Sequence, residues 1–364
     1  MRITFFGTYN TATTPRVQVL IDGLRAHKVV VTECNVVLNV STKQRVSILA
    51  LPWKLPLLLA AIASCWIKLS LRRRHLPLSD AVIIGYMGHF DIHLAHRMFR
   101  RQPLILDYMI SAGDTARDRG ESGGLKLKLL TWIDNAALKK ASIVLVDTEE
   151  HRLRLPPNYQ QKAIVVPVGA PNDWFKYAYT KVTKDQPLQV IFFGNYIPLQ
   201  GAPVIGEALA KLRLPVTVTM VGSGQEREAA QQAAETAEGS VAIHWLDWVE
   251  PDKLPKLVAS HDVCLGIFGV GPKALRVVPN KIYQGAAVGR ALITSDTPPQ
   301  RRALKEAALF VPPGDTQALA DAITHLADKP EAVSKLKTAA LARAQKHFTP
   351  SAVVEPLLEK LTAS

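Results

Sequence analysis

The sequence predicts an α/β chain of two similar open halves, each a parallel sheet flanked by helices. Three observations carry that reading. Arg2 to Phe6 is an apolar run that ends in the turn Gly7-Thr8-Tyr9-Asn10 and is followed by a helix reaching about Ala26. Leu188 to Phe193 restarts the same succession of strand, glycine turn at Gly194 and helix. Further short apolar runs, at 81–85, 103–107, 143–147, 163–167 and 262–268, read as buried strands between helical stretches.

The 364 residues suffice for two domains of ordinary size. With 48% hydrophobic and 21% charged residues the chain has the composition of a well-cored globular protein, not a disordered one. Cys34, Cys65 and Cys264 are far apart, which argues against a disulfide frame or zinc site and fits a reducing compartment. The opening MRITFFG enters a strand directly, so no signal peptide is expected. The net charge of +13 suits nucleic acid, anionic lipid or a phosphorylated substrate, or else only a soluble basic surface. Basic residues gather at Arg72-Arg73-Arg74 and at Arg97, Arg100 and Arg101. No aromatic-rich RNA signature or DNA-reading motif accompanies them, so nucleic acid is not an expected partner.

Taken in order, Gly7 closes the first strand, either so that a ligand can approach the backbone or as an ordinary tight turn before Arg16. Residues 46–74 are the most lipid-like part. Leu55 to Ile67 is charge-free between Lys54 and Lys68, too short to cross a bilayer core of about 30 Å. Trp53, Trp66 and the flanking cations suit a helix lying at an anionic membrane surface; the alternative is a helix docked on the first domain. His89, Asp91, His93 and His96 match no metal signature, and the three histidines recur along one helix face, so no metal is expected. His89 also sits on a loop leaving a strand, where cleft-lining residues fall. The strand at 103–107 ends at Asp107-Tyr108. Asp114 and Arg117-Asp118-Arg119 follow as site residues or, preferably, an ion network. Leu125 to Ala141 is helical, and Gly169 to Gln186 reads as a linker. At the end, Thr349-Pro350 starts a helix with Val353, Val354, Leu357, Leu358 and Leu361 on one stripe.

The most informative stretch is Asp262 to Ser295. A strand to Phe268 leads into a loop with Gly269, Gly271, Pro272, Lys273 and Arg276. Pro279 and Asn280 then start a helix that Gly289 stops, and Ala291 to Thr294 resumes a strand. Backbone N–H groups at that helix start, with Lys273, Arg276 and Lys281 beside them, make a pocket for phosphate or diphosphate. Asn280, Lys281 and Gln284 share one helix face.

These residues resemble the nucleotide-sugar site of the GT-B glycosyltransferases, and within them retaining glycosyltransferase family 4. The resemblance is carried by CLGIF, PKALRVVPNKIYQ and GRALITSDTP, with FFGNYIPLQG, MVGSGQE, DWVEPDKLP, FVPPGDTQALADAI and DNAALKKASIVLVDT. It implies two Rossmann-like domains facing a cleft, at 1–175 and 187–345, and a C-terminal helix, 346–364, crossing back to the first domain. It implies donor contacts from Gly7, Gly194, Asn195, Gln200, Gly201, Trp248, Val249, Lys273, Arg276, Asn280, Lys281 and Gln284. Trp248-Val249 resembles the segment whose backbone reads the base; core packing is the alternative for Trp248. Three departures stand out. The arginine and lysine common near Asn195 and Gln200 are absent, Gln284 replaces a ribose-binding glutamate, and Asp107 lies where many members carry a histidine. Lys273, Arg276 and Lys281 would supply the missing charge.

The expected function is transfer of a sugar from a UDP- or GDP-linked donor to a hydroxyl, with retention and no cofactor. The acceptor expected is a lipid-linked or membrane-proximal glycan, reached from the cytoplasmic face of the membrane. Asp107 and His89, with Lys273 and Arg276, are the expected catalytic set. No D-x-D pair, Walker loop, G-x-S-x-G or H-E-x-x-H occurs, so leaving-group charge falls to helix N-termini and cations. The alternatives are a silent nucleotide-sugar-binding subunit and a sugar-nucleotide epimerase of the same fold.

Overall fold

The computed structural model describes residues 1–11, 14–38, 55–109, 111–118, 123–178, 186–237 and 241–363. Residues 46–54 of the lipid-like segment, and Arg119, lie outside these. The chain divides into two compact units. Unit 1 comprises Met1–Asp147, His151–Val166 and the C-terminal tail from Val354, and unit 2 comprises Thr148–Glu150 and Pro167–Val353.

Unit 1 holds β1 (Arg2–Gly7), β2 (Val30–Asn35), β3 (Ala81–Ile84), β4 (Leu104–Asp107), β5 (Ile143–Val146) and β6 (Ala163–Val165), in the order β2-β1-β3-β4-β5-β6. Unit 2 holds β7 (Leu188–Phe193), β8 (Val216–Val221), β9 (Val241–Leu246), β10 (Val263–Leu265), β11 (Ala291–Ser295) and β12 (Leu309–Val311), in the order β12-β11-β10-β7-β8-β9. Every pairing in both sheets is parallel. The two Rossmann-like domains expected from the sequence are thus present. Helices cover both faces of such a sheet, so β3, β4 and β5 are buried at every residue, which is why they read as unbroken apolar runs. The edge strands β2 and β9 leave several residues exposed, Glu33 and His244 among them, so neither reads as an unbroken apolar run.

Several boundaries moved for identifiable reasons. The strand expected over 262–268 is regular only from Val263 to Leu265. Beyond it the chain leaves the ladder so that Phe268 N–H can donate to Gln200 O at 3.0 Å. The helix around the charge-free segment runs on through the arginines to Arg73. His89 precedes the helix Asp91–Met98, so the three histidines do not share a helix face; His89 is buried and His96 exposed. Asn172–Phe175, within the expected linker, is a helical turn whose Trp174 stacks on Phe193 at 5.8 Å, and Ala170 N–H donates to Phe348 O. The three cysteines are free and buried.

The C-terminal helix Glu355–Thr362 buries Leu357 in unit 1. In unit 2 the turn after β7 crosses the segment after β10 at contact distance. A Cβ on Gly201, whose φ is +64°, would fall 2.5 Å from Gly269 N and 2.5 Å from Phe268 C. Gly201→Ala should therefore destabilise unit 2 by at least the ~1–3 kcal/mol of a left-handed non-glycine residue. A lowered urea midpoint checks this; an unchanged midpoint would mean that the crossing gives way.

Candidate functional site

In an open parallel sheet, ligands bind beyond the carboxyl ends of the strands, where the strand order reverses. In unit 2 that point lies between β7 and β10. Here Gly194 leaves β7 with φ +147°, and its N–H donates to Val221 O at 3.1 Å. The turn Pro198–Gln200 then brings the Gln200 side chain against the helix Asn280–Ala287. Lys281, the second residue of that helix, is buried; its Nζ donates to Gln200 Oε1 and sits 3.6 Å from the centre of the Phe192 ring. A Cβ on Gly194 would stand 3.3 Å from the same amine, so glycine there preserves its place. Burial holds the Lys281 amine well below the usual 10.5.

The helix opens at Pro279 with no side-chain cap, which leaves its first N–H groups available to an anion. Lys281 and Gln284 are buried while Asn280 is exposed, so the expected single face divides into an inner and an outer part. Lys273 precedes the short turn Ala274–Arg276 and Arg276 ends it; both are half-buried, and Arg276 O accepts from the Thr148 hydroxyl at 2.8 Å. The three cations thus fall into a partly exposed pair and one enclosed amine.

Trp248, just past β9, is 73% exposed, which excludes the core-packing alternative; Val249 beside it is half-buried. Arg227 fastens the Gly222–Gly224 turn. Its guanidinium donates to Gly222 O, meets Asp247 Oδ1 at 3.1 Å and lies over the Tyr196 and Trp245 rings. The spacing GSGQER was the available signal: a helix-start arginine three residues past a glycine turn can reach back to its carbonyl.

In unit 1 the strand order reverses between β1 and β3. Asp91 closes the turn there, accepting from Thr8 N–H at 2.7 Å, the Thr8 hydroxyl at 2.8 Å and Trp66 Nε1 at 2.9 Å. A Cβ on Gly7 would lie 2.9 Å from Asp91 Oδ2, so the chain's own packing already requires glycine at that turn. Asp107, at the end of β4, is 1% exposed and pairs with Arg16 Nε at 2.7 Å, while Arg16 Nη1 donates to Val166 O. Burial raises the Asp107 carboxyl, against the opposing pull of Arg16. Asp147, which follows the neighbouring strand β5, meets His151 Nδ1 at 2.5 Å.

His89 packs on Tyr108, and its Nε2 lies 3.2 Å from Asp134 Oδ1, off the line of a good hydrogen bond. Asp134 also accepts from Ser111 Oγ and from the N–H groups of Ala112 and Gly113. Burial alone would raise its carboxyl, but His89 and these donors bring it below the ordinary range. Asp107 and His89 therefore each have an acidic or basic partner of their own and are not joined to one another. Asp114 meets Arg117 at 2.9 Å and Arg154 at 3.2 Å, the ion network preferred for that segment. Among the described residues no group of three His, Cys, Asp or Glu side chains is placed to hold a metal ion.

Two Rossmann-like units, each with glycine turns at the reversal point of its sheet, define the GT-B class of fold. Residues 187–329 match the family described as Glycosyl transferases group 1. A search of the curated proteins finds no match to the sequence. Solved structures share the fold over the whole chain. Sucrose-phosphate synthase from Thermosynechococcus elongatus matches at 15% identity and TM-score 0.73, covering 100% of this chain and 99% of its own. Anabaena HepE in complex with UDP-glucose matches at 14% and 0.64, covering 100% of both chains. A UDP-forming α,α-trehalose-phosphate synthase from Burkholderia vietnamiensis matches at 12% and 0.68, covering 100% of this chain and 99% of its own.

Two measurements test this geometry. An amine neutral when folded and charged when unfolded makes the unfolded chain bind more protons below 10.5. Stability should thus rise with pH from the lowered folded value up to about 10.5, and Lys281→Met should flatten that slope in urea titrations. Removing one partner of the buried pair, as in Asp107→Asn, should cost about 3–5 kcal/mol, and Arg16→Met/Asp107→Leu should recover much of it. A neutral Asp107→Asn would show that the pair does not hold β4 and the Arg16 helix together.

Proposed function

We propose that the protein is a glycosyltransferase that uses a nucleoside diphosphate sugar, with UDP the favoured carrier. The observation that carries this reading is the β7–β10 reversal point. There an uncapped helix start and an enclosed amine meet a glycine turn, inside the stretch that matches the family, and Lys273 and Arg276 precede that helix in the chain. The HepE complexes with UDP and UDP-glucose, and the UDP-forming synthase, support the choice of base.

In the reaction, the bond between the anomeric carbon and the diphosphate oxygen breaks and the diphosphate leaves as an anion. The acceptor oxygen bonds to the anomeric carbon, and its proton passes to the leaving phosphate or a nearby base. The chain's part is electrostatic. Helix N–H groups, Lys273 and Arg276 meet the departing charge, with the Lys281 amine beneath the Gly194 turn. Retention of configuration and independence of metal belong to the same proposal, as does a nucleotide ribose held by the Gln284 amide oxygen. Asp107 and His89 are proposed for the acceptor side, with Asp107 held in place by Arg16.

A lipid-linked or membrane-proximal acceptor at the cytoplasmic face is proposed from the helix Leu55–Arg73. This helix leaves Leu57, Ile67 and Leu71 exposed beside Lys68 and Arg72. Among the described residues no helix is long and apolar enough to cross a membrane.

Thermal shift with UDP, GDP, ADP and TDP tests the donor. UDP should raise the melting temperature, and Lys273→Ala/Arg276→Ala should abolish the shift, read against the double variant's own unliganded melting temperature. No response to any diphosphate sinks the assignment. Binding without turnover, across acceptors, points to a silent subunit, and donor turnover without acceptor to an epimerase.

A further inference from the structure

In unit 1 the helices Leu55–Arg73, Asp91–Met98 and Leu125–Lys140 share one core. Leu69, Ile92, Ala95, Ala137 and Leu138 pack with Val82, Leu104 and Val144 of the sheet. The outward sides of the same helices are unlike an ordinary solvated surface. On Leu125–Lys140 the exposed residues Leu125, Lys128, Leu129, Trp132 and Lys139 fall on one stripe at helical spacing. Leu125 is 88% exposed and Trp132 65%, while Leu130, Asp134, Ala137 and Leu138 turn inward. On Leu55–Arg73 the exposed residues include Leu57, Ile67 and Leu71 with Lys68 and Arg72, and the inward ones are Ile62, Cys65 and Leu69. The middle helix and its exit expose Arg97, Arg100 and Arg101.

Charge on these three outer faces has a single sign. The acidic residues within the helices, Asp91 and Asp134, are both buried and engaged in unit 1. Large aliphatic and indole side chains mixed only with cations suit the boundary between headgroups and acyl chains of an anionic bilayer. A second copy of the chain would oppose one basic face to another across a two-fold axis, where like charges repel. An acidic protein would need carboxylates placed to match three helices, whereas a fluid anionic lipid surface needs none in fixed positions.

We propose that the outer face of this three-helix layer docks on an anionic lipid surface. Leu125, Leu129 and Trp132 form a second apolar anchor beside the one on Leu55–Arg73. The inference extends the reading of a membrane-proximal acceptor and rests on it. It adds an orientation. Helices that follow parallel strands begin at the carboxyl edge of the sheet, so Leu57 and the Leu125–Trp132 stripe lie toward the edge that carries Thr8, His89 and Asp107. Docking through both anchors holds that edge at headgroup level.

Flotation of the full-length protein tests this, with vesicles of phosphatidylcholine alone and of phosphatidylcholine with phosphatidylglycerol. The wild type should float with the anionic vesicles only, and high salt should weaken the binding. Leu125→Ser/Leu129→Ser/Trp132→Ser should reduce partitioning roughly tenfold or more, with melting temperature and UDP shift unchanged. Leu57→Ser/Ile67→Ser measures the first anchor separately. A triple variant that floats like the wild type overturns the second anchor, and so does a wild type that ignores anionic vesicles. Self-association lost in the triple variant, without flotation of the wild type, assigns the stripe to a copy of the chain instead. Flotation that persists without any UDP shift supports docking and rejects only the donor reading.

Discussion

The amine of Lys281 is the point on which unit 2 converges. It stands under the Gly194 turn, bonds Gln200 and faces the Phe192 ring, so the turn after β7 and the helix after β10 share one buried donor. Among the described residues no carboxylate pairs with it. The pair with Gln200 is charge-assisted only when the amine is protonated, and burial opposes that state. A site built this way is short of negative charge and gains from an anion. The backbone contacts of Gly201 and Gly269 supply the rigidity that an ion pair would otherwise give.

Unit 1 solves the same mechanical problem with the opposite charge. Its carboxyl edge is fastened by buried aspartates. Asp91 holds the β1 turn and Trp66, Asp107 holds Arg16, Asp134 holds the turn at Ser111–Gly113, and Asp147 meets His151. Asp91 and Asp134 each collect several donors, as a buried acid must if its charge is to be tolerated, whereas Asp107 has Arg16 on one oxygen and no hydrogen bond on the other among the described residues. The contrast gives the two units distinct electrostatic characters at equivalent places in equivalent folds. One edge presents cations and helix N–H groups, while the other spends its acids internally and leaves the outer helices purely basic.

Much of this was legible from the residues. The buried strands announced themselves as apolar runs, and Gly7 and Gly194 marked both reversal points. PNKIYQ followed by Gly289 marked the helix that carries Lys281. The edge strands β2 and β9 were not legible, because a half-solvated strand mixes polar and apolar residues without a strong period. The Asp91 and Arg227 anchors were hidden for another reason. Asp91 reaches Thr8, far off in sequence, and Arg227 reaches Asp247 and Trp245 as well as its own turn, contacts that no local pattern encodes. The stripe Leu125–Leu129–Trp132 was visible as a helix, but its direction was not.

The sequence by itself determined the alternation of strand, glycine turn and helix, and with it the two Rossmann-like units and the location of the cationic turn. Hydrophobic periodicity and the backbone demands of glycine are local properties, and they suffice for that much. Only the tertiary structure decided which side of each residue faces the interior. It enclosed Lys281 while leaving Trp248 in solvent, filled the space beside Gly7 with Asp91, and matched Asp107 to Arg16 rather than to His89. Those outcomes depend on the register of parallel strands and on how helices rotate to bury their apolar stripes. Both are settled by contacts between segments far apart in the chain.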